Sequence, residues 1–304
     1  MSRLLTRFAL GLVALTLTAA AAQPDPVVET GDVSRFYSLY DATGGHPTAE
    51  QLQAYIDGGS EGLRQLARLR RVTGAAMADA MGKRPEIYVG ARRCAAVLPR
   101  VRTRLLASFR KLGELYPEAR FPPMTIAVGR GKPVAIGSPV NGVQVGLEAL
   151  CAADTLGSDP EERFVHVIAH EYAHTQQNRA LVDDEHPTVL EMSIIEGVAE
   201  FVAELTSGSV SNTGLAARAK GRELEIETAF VPDEDKTDIS KWLYNGLGTQ
   251  QWPGDLGYWV GYRIAKAYYL HAPDKRQALK EILEMNDPKA FLAKSGWHPG
   301  IKLD

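Results

Sequence analysis

Apolar residues recur at helical spacing through two successive runs near the middle of the chain. In the first run, Phe164, Val165, Val167, Ile168, Ala169, Tyr172 and Ala173 form a wide apolar surface, which predicts a buried helix. Asp159, Pro160, Glu161 and Glu162 precede it. An acceptor side chain, a first-turn proline and early acidic residues suit a helix N-terminus. The second run, Thr188 to Phe201, starts behind Pro187 and is expected to end near Gly208. Upstream, Asp32–Leu39, Thr48–Ile56 and Gly62–Arg71 carry helical spacing, and Glu86–Tyr116 reads as one long helix or two broken near Pro99. Phe121-Pro122-Pro123 interrupts this pattern. Met124–Val128 then alternates like a strand, and Val134–Ile136 and Gly142–Leu147 complete a small sheet. Downstream, Thr206–Gly221 is small and polar, as loops are, and the acidic stretch from Glu223 to Ser240 is expected to be exposed. Helices are expected from Leu256 to about Leu270, from Lys275 to about Met285, and over Pro288–Lys294. The pattern predicts an α+β fold, mainly α. Residues 23–120 form a helical N-terminal lobe, 121–210 the sheet and the two central helices, and 211–304 a helical C-terminal lobe closing a cleft.

The first central run contains His170-Glu171-Tyr172-Ala173-His174, which reads H-E-x-x-H. Positions i and i+4 share one helix face, so both imidazoles reach one metal ion, with Glu171 beside them. Zinc takes nitrogen ligands in tetrahedral geometry, and a catalytic site keeps three protein ligands and one open position. The second run supplies Glu196 and Glu200, again i and i+4. One is expected to bind the metal, the other to accept a hydrogen bond from a ligand histidine and fix its tautomer. Gly197 weakens a helix, which fits a close approach to the first. His166 lies one turn before His170, but one straight helix cannot wrap a tetrahedral ion, so it is not expected to be a ligand.

H-E-Y-A-H followed by E-G-V-A-E-F resembles the gluzincin metallopeptidases, and more narrowly bacterial proteins described as predicted zinc-dependent proteases. The resemblance runs from about Pro85 to the end and is densest at His170–His174, Glu196–Phe201 and Gly257–Tyr262. It implies zinc, one ion per chain, held by His170, His174 and Glu196, with Glu171 as general base and Glu200 behind a ligand histidine. The twenty-one residues between His174 and Glu196 make the connection slightly longer than is usual in that family. The resemblance also implies a sheet-edge strand that pairs with the substrate backbone, for which Val143, Gln144, Val145 and Gly146 are the candidates. Tyr258 and Tyr262 share a helix face, and Tyr262 is the expected donor to a developing oxyanion, with Tyr258 or Arg263 as alternatives.

Composition adds an address. Arg3 and Arg7 precede an apolar run from Phe8 to Ala22 that ends in Ala20-Ala21-Ala22, the pattern of a signal peptide over residues 1–22. The expected product is a periplasmic or secreted protein with no integral membrane segment after cleavage. Two cysteines, Cys94 and Cys151, permit one disulfide in that setting. The span from Glu61 to Lys111 holds thirteen Arg or Lys against three acidic residues, but no stacking aromatics are interleaved. Solvated helix faces explain these charges, and no nucleic-acid partner is expected. The expected substrate is a peptide or protein. Alternatives are a zinc amidase acting on cell-wall peptides and a non-catalytic exported zinc-binding protein. Glu148 is a thin candidate for binding a substrate amine, and the sequence specifies no oligomeric state.

Overall fold

The computed structural model describes residues 26–303. The leader expected over residues 1–22 lies outside the described residues. The fold is α+β and mainly α, with one four-stranded sheet. Strand β1 (Val28–Glu29) leads into helices α1 (Gly31–Ala42), α2 (Ala49–Asp57), α3 (Glu61–Arg70), α4 (Gly74–Lys83), α5 (Pro85–Cys94) and α6 (Leu98–Leu115). Strands β2 (Met124–Ala127), β3 (Ala135–Ser138) and β4 (Gly142–Gly146) follow. Then come α7 (Leu147–Cys151), α8 (Pro160–His174), α9 (Arg179–Val182), α10 (Val189–Ser207), α11 (Thr213–Ala219), α12 (Glu223–Phe230), α13 (Leu256–His271), α14 (Lys275–Leu283) and α15 (Pro288–Lys294). Among the described residues, no helix is long and apolar enough to cross a membrane.

The starts of the two central helices are capped as their sequences dictate. The Asp159 side chain accepts from the Glu161 N–H, with Pro160 in the first turn of α8. Thr188 and Glu191 close a reciprocal capping box on α10, which Gly208 ends in a left-handed conformation. Helix α8 lies between two apolar clusters. Its Phe164, Val165, Ile168 and Tyr172 join the sheet and the N-terminal helices, while Ala173 joins α10, α13 and α14. The motif helix is thereby held on several sides.

Three helices show most clearly where the structure departs from the expectation. Helix α4 was not foreseen because its small residues give little apolar contrast, yet it buries Met77 and Ala80. Helix α11 occupies part of the expected loop. Helix α12 belongs to the stretch expected to be exposed, but it buries Ile226, Glu227 and Phe230. Glu227 is tolerated in the core because Arg263 Nε at 2.6 Å, Trp297 Nε1 at 3.1 Å and the Gly300 N–H at 2.6 Å all donate to it.

The sheet order is β1-β2-β4-β3. β1 and β4 flank β2 in parallel, and β3 is antiparallel to β4. β4 is therefore an interior strand, paired on both sides. This corrects the expectation that Val143, Gln144, Val145 and Gly146 form a substrate-binding edge, since their backbone groups are consumed by β2 and β3. The edge beside α8 is β3. There a Cβ on Gly137 would lie 2.1 Å from the Glu171 carbonyl oxygen, so only glycine lets the strand cross the motif helix this closely.

Helices α10 and α13 meet backbone to backbone. A Cβ on Gly197 would stand 2.0 Å from the Gly261 carbonyl carbon, and one on Gly261 would stand 1.7 Å from the Ser193 carbonyl oxygen. Both obstacles are main chain and cannot rotate away. Cys94 and Cys151 form a disulfide that ties the end of α5 to the end of α7, 57 residues apart.

Two outcomes follow for stability. Alanine gains about 1 kcal/mol over glycine in a helix interior, but overpacking at an unyielding contact costs roughly 1–3 kcal/mol or more. Gly261→Ala is therefore expected to lower stability in a chemical denaturation series, whereas Gly82→Ala on the open face of α4 is expected to raise it. Replacing Cys94 and Cys151 by serine is expected to lower stability by roughly 2–4 kcal/mol through the freed loop in the unfolded chain, read as a shifted denaturation midpoint.

Candidate metal centre

His170 and His174 project from one face of α8 towards Glu196 on α10, and all three are buried. His170 Nε2 lies 3.1 Å from His174 Nε2 and 3.2 Å from Glu196 Oε2, and His174 Nε2 lies 3.4 Å from that same oxygen. Donor atoms 2.0–2.1 Å from a tetrahedral zinc ion stand about 3.3 Å apart. The three observed separations match that edge, and the donor set is the one a catalytic zinc site uses. The residues present therefore fit zinc.

The hydrogen bonds behind these groups decide which atoms face inward. Gln177 Nε2 donates to the Ile195 carbonyl at 2.7 Å, so its Oε1 faces His174 Nδ1 at 2.8 Å. An amide oxygen only accepts, hence Nδ1 carries the proton and Nε2 presents a lone pair. His170 Nδ1 lies 3.3 Å from Glu200 Oε1, which orients it in the same sense. Glu200 is itself held by the Ser211 N–H at 2.6 Å and by the Ser211 hydroxyl. On the remaining side, the Tyr244 hydroxyl donates to Glu196 Oε1 at 2.5 Å, leaving Oε2 to the histidines. Three acceptors thus converge in a buried space, an arrangement that requires a cation at its centre.

Proton affinities follow the same convergence. Burial pulls the His170 pKa down, but the hydrogen bonds and charge of Glu196 and Glu200 outweigh it and hold the ring well above the usual histidine range. His174 is raised as well: burial opposes the shift and the charge of Glu196 drives it. Glu196 is held far below the usual carboxylate range, because the charges and hydrogen bonds of both histidines overcome its burial.

Glu171 lines a cleft of about 600 Å³ together with the two histidines, Glu196 and strand β3. Burial raises its pKa, against the lowering effect of the neighbouring histidines and of the Gly137 N–H that its carboxylate accepts. A carboxylate raised in this way is a stronger proton acceptor than an ordinary one. The outer edge of β3 faces this cleft. The Gly146 N–H donates to the Val134 carbonyl at 3.0 Å, and antiparallel strands alternate inward and outward pairs. The N–H and C=O groups of Ala135 and Gly137 therefore point away from β4, consistent with the Gly137 bond to Glu171.

Tyr262 does not reach the cleft. Its hydroxyl donates to Glu204 at 3.0 Å and meets Lys266 Nζ at 2.8 Å, because its position on α13 turns it along Phe201 and away from the histidines. The expectation of Tyr262 as oxyanion donor is corrected on this ground. Tyr258, one turn earlier, lines the cleft and stacks on His170 at 6.2 Å between ring centres. Tyr244 also lines it, at a positive φ of 56° that non-glycine residues rarely adopt. Although Tyr244 is 61% exposed, its hydroxyl is turned inward to Glu196. Arg263 is committed to Glu227 and the Ile301 carbonyl. Glu148 is fully buried beneath the Gly129 and Gly131 N–H groups, so it binds no substrate amine. His166 is engaged by Ser207 and Glu162.

Gln177, Ser211 and Tyr244 are the functional neighbours that sequence reasoning did not find. Gln177 lies three residues after His174 but beyond the end of α8, so only its nearness in the chain was a signal. Ser211 and Tyr244 arrive on loops whose return to α8 and α10 has no sequence signature.

No curated protein and no solved structure matches this chain. Residues 154–291 match the family model described as Predicted Zn-dependent protease (DUF2268). That span carries every group of the cluster, so the segment building the His170–His174–Glu196 centre is similar to the predicted Zn-dependent proteases, as its two motifs imply.

Proposed function

We propose that this protein is a zinc-dependent metallopeptidase that hydrolyses peptide bonds with Glu171 as general base. The observation that carries this reading is the convergence of His170 Nε2, His174 Nε2 and Glu196 Oε2 at zinc-ligand separations with the Glu171 carboxylate on the same cleft. Zinc, when bound, supplies a Lewis acid that acidifies water and polarises a carbonyl. Glu171 takes a proton from the attacking water and delivers it to the leaving amine, a role suited to its raised pKa. Tyr258 lines the cleft where the carbonyl oxygen gains charge and is the candidate donor to it, whereas the Tyr244 proton is held by Glu196. A substrate segment adds to the outer edge of β3 through the outward groups of Ala135 and the Gly137 carbonyl, the Gly137 N–H being held by Glu171. Gln177, Glu200 and Ser211 hold the histidines in place. The signal-like pattern of residues 1–22 and the Cys94–Cys151 disulfide support an exported, oxidising address.

A mixed peptide library digested by the zinc-loaded protein and followed by mass spectrometry is expected to be cleaved. Glu171→Gln is expected to keep its zinc and to lose activity by roughly 10²–10⁴-fold. Intact peptides after incubation with wild-type protein carrying one zinc per chain would sink the reading. A cell-wall amidase or a non-catalytic zinc protein would then take its place.

The raised histidines set a second expectation. Ligand imidazoles must be neutral, so zinc uptake by the raised histidines releases protons, and affinity falls as pH falls. Calorimetry in buffers of different ionisation enthalpy checks the release. A buffer-independent heat would contradict it.

A further inference from the structure

The cleft contains one cationic side chain among the described residues, Arg70, at the C-terminal end of α3. Its guanidinium is exposed and makes no hydrogen bond or ion pair among the described residues, whereas the neighbouring Arg64 and Arg68 are both paired with Glu61. The other charges on the cleft wall are accounted for. Asp183 is paired with Arg179 at 2.9 Å, Glu196 with the histidines, and Glu171 is the proposed base. A free guanidinium facing a peptide-sized cleft is a receptor for a carboxylate, which its planar fork binds through two parallel hydrogen bonds.

The sheet determines which part of a substrate meets it. Two hydrogen bonds relate α3 to the two ends of β3. Midway along the helix, Gln65 donates to Asn141 in the β3–β4 turn, beside Ser138. At its end, the Arg70 carbonyl accepts from Arg130 Nε at 3.1 Å and Nη2 at 2.8 Å, in the loop leading to Pro133 and Ala135. Arg70 therefore stands at the N-terminal end of β3. A segment adding antiparallel to β3, the more stable pairing, enters at Ser138 and leaves at Ala135. Its C-terminal side runs towards Arg70. At about 3.4 Å per residue, the step from Gly137, beside Glu171, to the Arg70 end spans roughly two to three substrate residues.

We propose that Arg70 is a specificity-determining residue that binds a substrate carboxylate on the C-terminal side of the scissile bond, within about three residues of it. This inference rests on the peptidase reading for the direction of the substrate. The preferred substrates are peptides bearing either a free C-terminal carboxylate or an acidic side chain there.

Binding separates this proposal from turnover. Zinc-loaded Glu171→Gln protein is titrated, by fluorescence anisotropy, with three N-terminally labelled alanine-rich hexapeptides. One has a free C-terminus, one is the C-terminal amide, and one is the amide with glutamate at the penultimate position. At least one of the two carboxylate-bearing peptides is expected to bind tenfold or more tightly than the plain amide. Adding Arg70→Gln is expected to bring that ratio close to one, and Arg70→Lys to restore part of it. Preference for the free terminus alone assigns the terminal carboxylate, and preference for the glutamate peptide assigns an acidic side chain. Equal binding of all three peptides, or a ratio that survives Arg70→Gln, overturns the proposal. Failure of the peptidase reading shows separately, as a binding preference in Glu171→Gln with no cleavage of the same peptides by the wild type.

Discussion

Three hydrogen-bond acceptors directed at one buried point constrain the rest of this molecule. Neither the two Nε2 atoms nor the Glu196 carboxylate oxygen has enough donors of its own. Buried without a cation, each would cost free energy on the order of that of a lost hydrogen bond or more. The surroundings force this state by occupying every other atom of the three side chains. Gln177 takes one histidine, Glu200 takes the other, and Tyr244 takes the far oxygen of Glu196. The arrangement is preorganised for a metal, because the tautomers and the carboxylate orientation are set before any ion arrives.

Such convergence demands that helices approach closely, and glycine supplies the approach. Gly197 and Gly261 let α10 and α13 touch backbone to backbone, which fixes Glu196 and Glu200 on one side and Tyr258 on the other. Gly137 does the same where β3 crosses Glu171. The cost in helix and strand propensity is about 1 kcal/mol per position. The return is geometric, since a side chain at any of these points would displace a functional group from the cleft by more than a bond length.

The cleft combines one paired face and one open edge. Because β4 is paired on both sides, the sheet edge beside Glu171 among the described residues belongs to β3. An antiparallel partner on this edge would run from the Ser138 end of β3 towards its Ala135 end. Glu171 from α8, the outer strand β3 and Arg70 from α3 thus meet in one cleft.

The sequence by itself determined the two central helices and the chemistry they bear. Local rules carried that far: caps at Asp159 and Thr188, apolar spacing along both runs, and i, i+4 placement of His170 with His174 and of Glu196 with Glu200. The mainly helical character and the small sheet were legible for the same reason. The tertiary structure alone decided which strand lies at the edge, because pairing order is a non-local property that alternation cannot express. It also decided that Tyr258 and Tyr244 line the cleft while Tyr262 meets Glu204, since the rise of about 6 Å along α13 between the two tyrosines carries the second past the end of the cleft. It buried Glu227 in an acidic stretch by bringing Arg263, Trp297 and Gly300 to it from distant positions. Residues on one helix face are related by a fixed 3.6-residue period. Residues joined across loops are related only by the energy of the packed whole, and no period in the sequence encodes that.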